Sequence, residues 1–152
     1  IKAETVWWTR GAQPPQLLAD GEVVMASAYN GRLFSAIEEE KQPIAIMWDW
    51  QVFDLDGWVL PVGAPHREET LKLLRFATDT QRLADQAKYI SYGPARKSSA
   101  PLVGQHADLG IDMGPHMPTH PDNAKTTLVY NFEWWADNED DLNEQFNSWL
   151  AQ

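Results

Sequence analysis

The stretch from Gly21 to Lys41 constrains the fold more than any other. Glu22 to Ala28 is apolar, with adjacent valines, and reads as a buried strand. Tyr29-Asn30-Gly31 follows as a turn, and then the period changes. Leu33, Phe34 and Ile37 share one face of a helix expected over Arg32 to Lys41, because positions i, i+1 and i+4 cluster on a 3.6-residue repeat. A strand that passes through a short turn into a helix is the building unit of α/β proteins.

The rest of the chain continues the alternation. Val6 to Trp8, Pro43 to Trp48 and Phe53 to Leu60 read as further strands, the last stopped by Pro61. Pro14-Pro15 suits a first helical turn, and that helix ends at Asp20-Gly21 with glycine in the C-terminal cap. Leu71 and Leu74 follow helical spacing in Arg67 to Ala77, and Asp79 is placed to cap a helix over Thr80 to Lys88. Tyr92-Gly93-Pro94 reads as a turn and Gly114 to Pro121 as a Pro-rich, extended surface loop. An acidic helix over Asn138 to Leu150 closes the chain, with Leu142, Phe146, Trp149 and Leu150 expected to face inward. The class is therefore α/β with at least partly parallel pairing.

Composition excludes some functions. A net charge of −10 argues against nucleic acid, because phosphate binding needs clustered Lys and Arg. There is no Cys, hence no disulfide, thiolate metal site or Cys nucleophile, though this leaves the compartment open. The chain starts at Ile1 without a charged-then-apolar leader, which fits a mature, processed or truncated soluble chain. His116 and His120 are four apart, but Pro115, Pro118 and Pro121 keep them off a helix, so no helical metal pair is expected. No Gly-x-Ser-x-Gly elbow or phosphate-cradling Gly loop occurs, and no cofactor is expected. Eight Trp residues, several in close pairs such as Trp48 with Trp50, serve packing or form an aromatic box for a flat or cationic ligand.

Two constellations are candidate sites. In open α/β sheets ligands bind beyond the carboxyl ends of strands, which places Tyr29, Asn30 and Arg32 at a crevice. Tyr29 offers a ring and a hydroxyl, Arg32 a fork for a carboxylate, and the N–H groups of the helix start favour a negative group. The second is Asp54-Leu55-Asp56-Gly57-Trp58, whose period-2 alternation puts Asp54, Asp56 and Trp58 on one strand face. Two carboxylates and an indole can hold a cation. Acids about 6–7 Å apart along a strand could equally serve as general acid and base of a glycosidase.

Four stretches in order resemble the spermidine/putrescine-type periplasmic solute-binding proteins of ABC importers. The run from Leu18 to Arg32 is similar to the segment where an L-x-x-G-[DE] element precedes a strand and an aromatic follows it at the ligand cleft. Asp56-Gly57-Trp58-Val59-Leu60-Pro61 resembles a strand that carries an acidic ligand contact and ends in proline. Ala64 to Gln86 resembles the family's helical element, and Tyr89 to Ala95 the region that contributes a tyrosine. The resemblance covers nearly the whole chain and is weakest from Gly104 to Thr127.

The resemblance implies a type II periplasmic-binding-protein fold of two lobes, of which this chain is the C-terminal portion, since family members are roughly twice as long. Residues 1–50 would end one lobe, 51–63 would cross a hinge, and 64–152 would belong to the other lobe. Tyr29 would pack on the ligand's alkyl chain, Asp56 would bind an amine, and Tyr92 would line the cleft. Arg32 departs from the pattern, because polyamine binders often carry an acid there. It suits a ligand with a carboxylate at one end, unless it pairs with a nearby acid. The implied role is capture of a small cationic or zwitterionic solute in the periplasm and its delivery to a membrane permease, without catalysis. A carbohydrate-binding or glycoside-hydrolysing domain and an interaction module are the rivals. A partial fold should expose strand edges and apolar faces, to be covered by the missing N-terminal half or another chain.

Overall fold

The computed structural model describes all 152 residues. Five α-helices punctuate the chain: α1 Gln13–Ala19, α2 Asn30–Phe34, α3 Arg67–Ala77, α4 Thr80–Gln86 and α5 Phe132–Ala151. Two short strands, β1 Val52–Phe53 and β2 Leu128–Val129, pair in parallel. The α/β class therefore holds, with much less sheet than the sequence suggests.

Local signals place the helices well. Pro14 and Pro15 occupy the first turn of α1, and Gly21 follows its end with φ +70°, a conformation glycine adopts without a Cβ penalty. Asp79 caps α4, its side chain accepting from the Gln81 N–H at 3.0 Å. The helix expected from Arg32 starts two residues earlier, at Asn30, and widens into a π turn over Ser35–Glu39. The terminal helix also starts earlier. Asn131 caps it at Trp134, and this side-chain bond draws the aromatic run Phe132 to Trp135 into α5.

The expected strands Val6 to Trp8, Glu22 to Ala28 and Pro43 to Trp48 form no ladder, and the one expected over Phe53 to Leu60 is reduced to β1. Exposure still alternates residue by residue from Lys41 to Asp49, the period of an extended segment with one packed face. A strand needs a partner for its N–H and C=O groups as well as the right side chains, and within this chain only β1 and β2 find each other.

The core gathers around Phe34, Ala87, Met113 and Met117, with Val103, Leu109 and Ile111 packed against it. Phe34 meets the rings of both His106 and His116, with centroids 5.6 and 5.1 Å away. His106 shapes the adjoining turn: its Nδ1 accepts from the Asp108 and Leu109 N–H groups. His120 does similar work, accepting from the Asp122 N–H. Gly114 to Pro121 is thus no extended surface loop, since a short 3-10 turn over Gly114–His116 delivers Met117 into the core.

The other faces stay open. The accessible surface is 11545 Å², against about 7,800 Å² for a self-contained domain of this mass. Val24, Val59 and Val62 are fully or almost fully exposed. On α5, Phe146 and Trp149 both meet Trp7 edge-on and lie tilted to each other, yet both keep more than a third of their surface in solvent. The inward face expected for that helix is only half covered. This is more exposed apolar surface than a self-contained domain leaves to solvent.

Candidate ligand-binding groove

The site begins with how α2 is tethered. Leu33 and Phe34 are buried, which turns Arg32 outward. The Tyr29 carbonyl accepts from the Arg32 and Leu33 N–H groups, so these are not free for an anion as the sequence suggests. Asn30 Nδ2 donates to the carbonyl of fully buried Ser91 at 2.6 Å. That bond draws the Ser91-Tyr92-Gly93 segment onto the first turn of α2.

Two tyrosine rings then lie against glycines. A β-carbon on Gly31 would stand 2.7 Å from Tyr92 Cζ, and one on Gly11 would stand 2.8 Å from Tyr29 Cε2. No real Cβ contact is that short, so glycine is required at both positions for the rings to lie as they do. Tyr29 also meets Trp8 edge-on, with centroids 6.2 Å apart.

The electrostatics tie four of these side chains together. The Tyr92 hydroxyl is pushed above the ordinary tyrosine range, chiefly by burial; the Arg32 charge opposes the shift, while Asp56 and Tyr29 add to it. A cation, a carboxylate and a second phenol therefore all act on the Tyr92 oxygen. Asp54 belongs to a different neighbourhood. Its Oδ1 accepts from the Leu55 N–H at 2.7 Å, and its charge helps raise Tyr130, after burial and Glu139. Asp54 and Asp56 thus act on different phenols, and residues 54–58 form no strand to align them with Trp58.

Tyr29, Asn30, Asp54, Asp56, Trp58 and Tyr92 all line one open groove of about 1950 Å³. Arg32 does not. It lines a smaller hollow of about 440 Å³ beside Gln16, Asp20 and Glu40, and reaches the groove through its field at Tyr92. The lining also takes in Trp8 and Trp50, from the paired tryptophans read as packing or as an aromatic box, and Arg96 and Tyr130, which the sequence did not single out. For the tryptophans, the clustering in the sequence was the available signal.

Comparison with known proteins agrees with this architecture. Residues 1–119 match the family model described as bacterial extracellular solute-binding protein. The chain is 34% identical over 152 residues to a gamma-aminobutyric acid-binding protein of Pseudomonas aeruginosa, covering all of this chain and 41% of that protein. Among solved structures it superposes on the PBP AgtB of A. tumefaciens R10 in complex with agropinic acid, with TM-score 0.80 and 27% identity over 99% of this chain and 46% of that one. It superposes equally well on a GABA receptor, with TM-score 0.80 and 27% identity over 100% of this chain and 45% of that one. The chain belongs to the family of bacterial extracellular solute-binding proteins. Its architecture is a part of the periplasmic-binding-protein fold, and it spans less than half the length of the relatives it matches. Of those relatives, one is named a binding protein and another a receptor. No helix is long and apolar enough to cross a membrane.

Proposed function

We propose that this chain supplies one wall of a ligand cleft in a periplasmic solute-binding protein that loads the permease of an ABC importer. The solute is a small zwitterion, with a carboxylate at one end and an amine at the other. One observation carries this reading: Tyr29, Asp56 and Tyr92 line one groove together with Arg96, so charges of both signs face it, and Arg32 adds its field at Tyr92 from its own hollow. A guanidinium binds a carboxylate through a bidentate fork, a carboxylate binds an ammonium, and aromatic faces cover the alkyl chain between them.

The polyamine ligand suggested by the sequence resemblance gives way here. A diamine has no use for Arg32, and a relative and a solved structure are named for GABA, another holds agropinic acid, and none is named for a polyamine. The paired-acid glycosidase also loses ground, since Asp54 and Asp56 act on separate tyrosines. A groove of about 1950 Å³ exceeds the ~300–1,000 Å³ of a small-molecule pocket. The remaining length of the whole protein would narrow it, with residues 1–50 and 64–152 in different lobes and 51–63 crossing between them.

The test uses full-length protein, with γ-aminobutyric acid, putrescine and agropinic acid as probes in thermal shift and isothermal titration. A zwitterion should bind without turnover and in preference to putrescine. Preference for putrescine would restore the polyamine reading, and silence from all three probes would defeat the carrier reading.

A further inference from the structure

Trp50 combines three features that nothing in ordinary packing requires. Its backbone is left-handed, with φ +60°. That conformation is an outlier for a bulky residue, and such strain persists only where surrounding contacts impose it. The residue is 74% exposed, so the strain is not offset by burial. Its side chain lines the groove that holds Tyr29, Asp56 and Tyr92.

A turn closed by the Gln51 N–H on the Trp48 carbonyl at 3.1 Å sets this backbone locally, and contacts across the β1–β2 pair hold it in place. The Trp50 N–H donates to Thr126 Oγ1 at 3.0 Å, and that hydroxyl donates on to Asp49 Oδ1 at 3.2 Å. Next along the chain, Gln51 Nε2 reaches the Pro118 and Asn123 carbonyls and Thr127 Oγ1. The Gln51 carbonyl accepts from Leu128 N–H at 2.9 Å, where β2 begins. The backbone on both sides of Trp50 is thus fastened to one distant segment, and the indole is the part left free.

We propose that Trp50 is a ligand-contacting residue of the cleft, held out by this clip to lay its ring face against the hydrocarbon middle and ammonium end of the solute. The proposal rests on the zwitterion-carrier reading above. An indole face serves both parts of such a ligand, through apolar contact with methylenes and through cation–π attraction for an ammonium. A rigid backbone mount lowers the ordering cost of binding, because the wall is in place before the ligand arrives.

The experiment measures the affinity of full-length protein for γ-aminobutyric acid, putrescine and agropinic acid by calorimetry, together with melting temperature without ligand. Glycine adopts φ near +60° without strain, so Trp50→Gly should melt no lower than wild type while its affinity falls about tenfold. Trp50→Phe keeps a ring and should stay within about threefold of wild type. Unchanged affinity in Trp50→Gly, with wild type still binding, overturns this proposal and leaves the carrier reading standing. A drop of several degrees in the melting temperature of Trp50→Gly also overturns it, by assigning Trp50 to packing. Wild type binding none of the three probes removes both.

Discussion

The Tyr92 ring rests on the α-carbon of Gly31, so close that a single methyl group there would overlap its Cζ and hydroxyl oxygen, at 2.7 and 3.0 Å. Gly31 is inside α2, where alanine is intrinsically better by about 1 kcal/mol. Tyr92 is partly exposed and its ring can swing aside. Gly31→Ala should therefore leave the melting temperature near that of wild type while ligand affinity drops, because the ring no longer lies where Arg32 and Asp56 act on it. A variant that unfolds, or one that binds normally, would contradict this account of the glycine.

Asp56 is exposed, and its charge reaches Tyr92. Asp56→Asn keeps the shape and removes the charge. We expect at least a tenfold loss of affinity for an amine-bearing ligand, roughly 1.5–3 kcal/mol for a charged hydrogen bond. The melting temperature without ligand should hardly move. Titration calorimetry on the full-length protein checks both, and an unaltered affinity excludes Asp56 as the amine contact.

Tyr92 also sets an alkaline limit. Burial leads in raising its hydroxyl above 10.0, with Arg32 opposing and Asp56 and Tyr29 assisting. The sign follows from which form the folded state prefers, here the neutral phenol. The contribution to stability is complete below the unfolded value of 10.0 and is lost as pH rises through the higher folded value. Comparing tyrosinate absorbance of wild type and Tyr92→Phe isolates this residue. The component that disappears in the variant should titrate later than an ordinary tyrosine. A component at or below the ordinary value would show that the hydroxyl is not buried as described.

Gln51 closes the clip at the parallel pair. Its amide satisfies the Pro118 and Asn123 carbonyls at 3.0 and 2.9 Å. Gln51→Ala strips the side-chain donor from both, at a cost of about 1–3 kcal/mol if water does not replace it. Denaturant unfolding measures that loss. Gln51→Glu should be as costly, since a carboxylate accepts and cannot donate to a carbonyl. A carboxylate variant as stable as wild type would mean these contacts do not hold the crossing.

Short-range chemistry was legible from the sequence alone. The proline start of α1, the Asp79 cap of α4 and the repeat of α3 depend on residues a few positions apart, and all three stand where the pattern put them. The groove was partly legible for the same reason. Tyr29 and Asn30 come from one turn, and Asp54, Asp56 and Trp58 from one stretch, while Arg32 of the same turn faces a separate hollow. That Tyr92 joins them depends on Asn30 reaching Ser91, which the sequence could suggest only through resemblance to a family.

Tertiary structure decided the rest. Apolar runs such as Pro43 to Trp48 carry the right side chains for strands, but pairing is a property of two segments, and only β1 and β2 meet. The left-handed backbone of Trp50 belongs to a turn closed locally from Gln51 to Trp48, but its anchor on the Thr126 hydroxyl lies 76 residues away, beyond any local pattern. The Pro-rich segment ending at Pro121 looked solvated, yet it brings Met117 to Phe34. Local sequence sets what each segment can form, because caps and periods act over a few residues. Long-range contacts choose among those options, because a hydrogen bond or a buried face needs its other half.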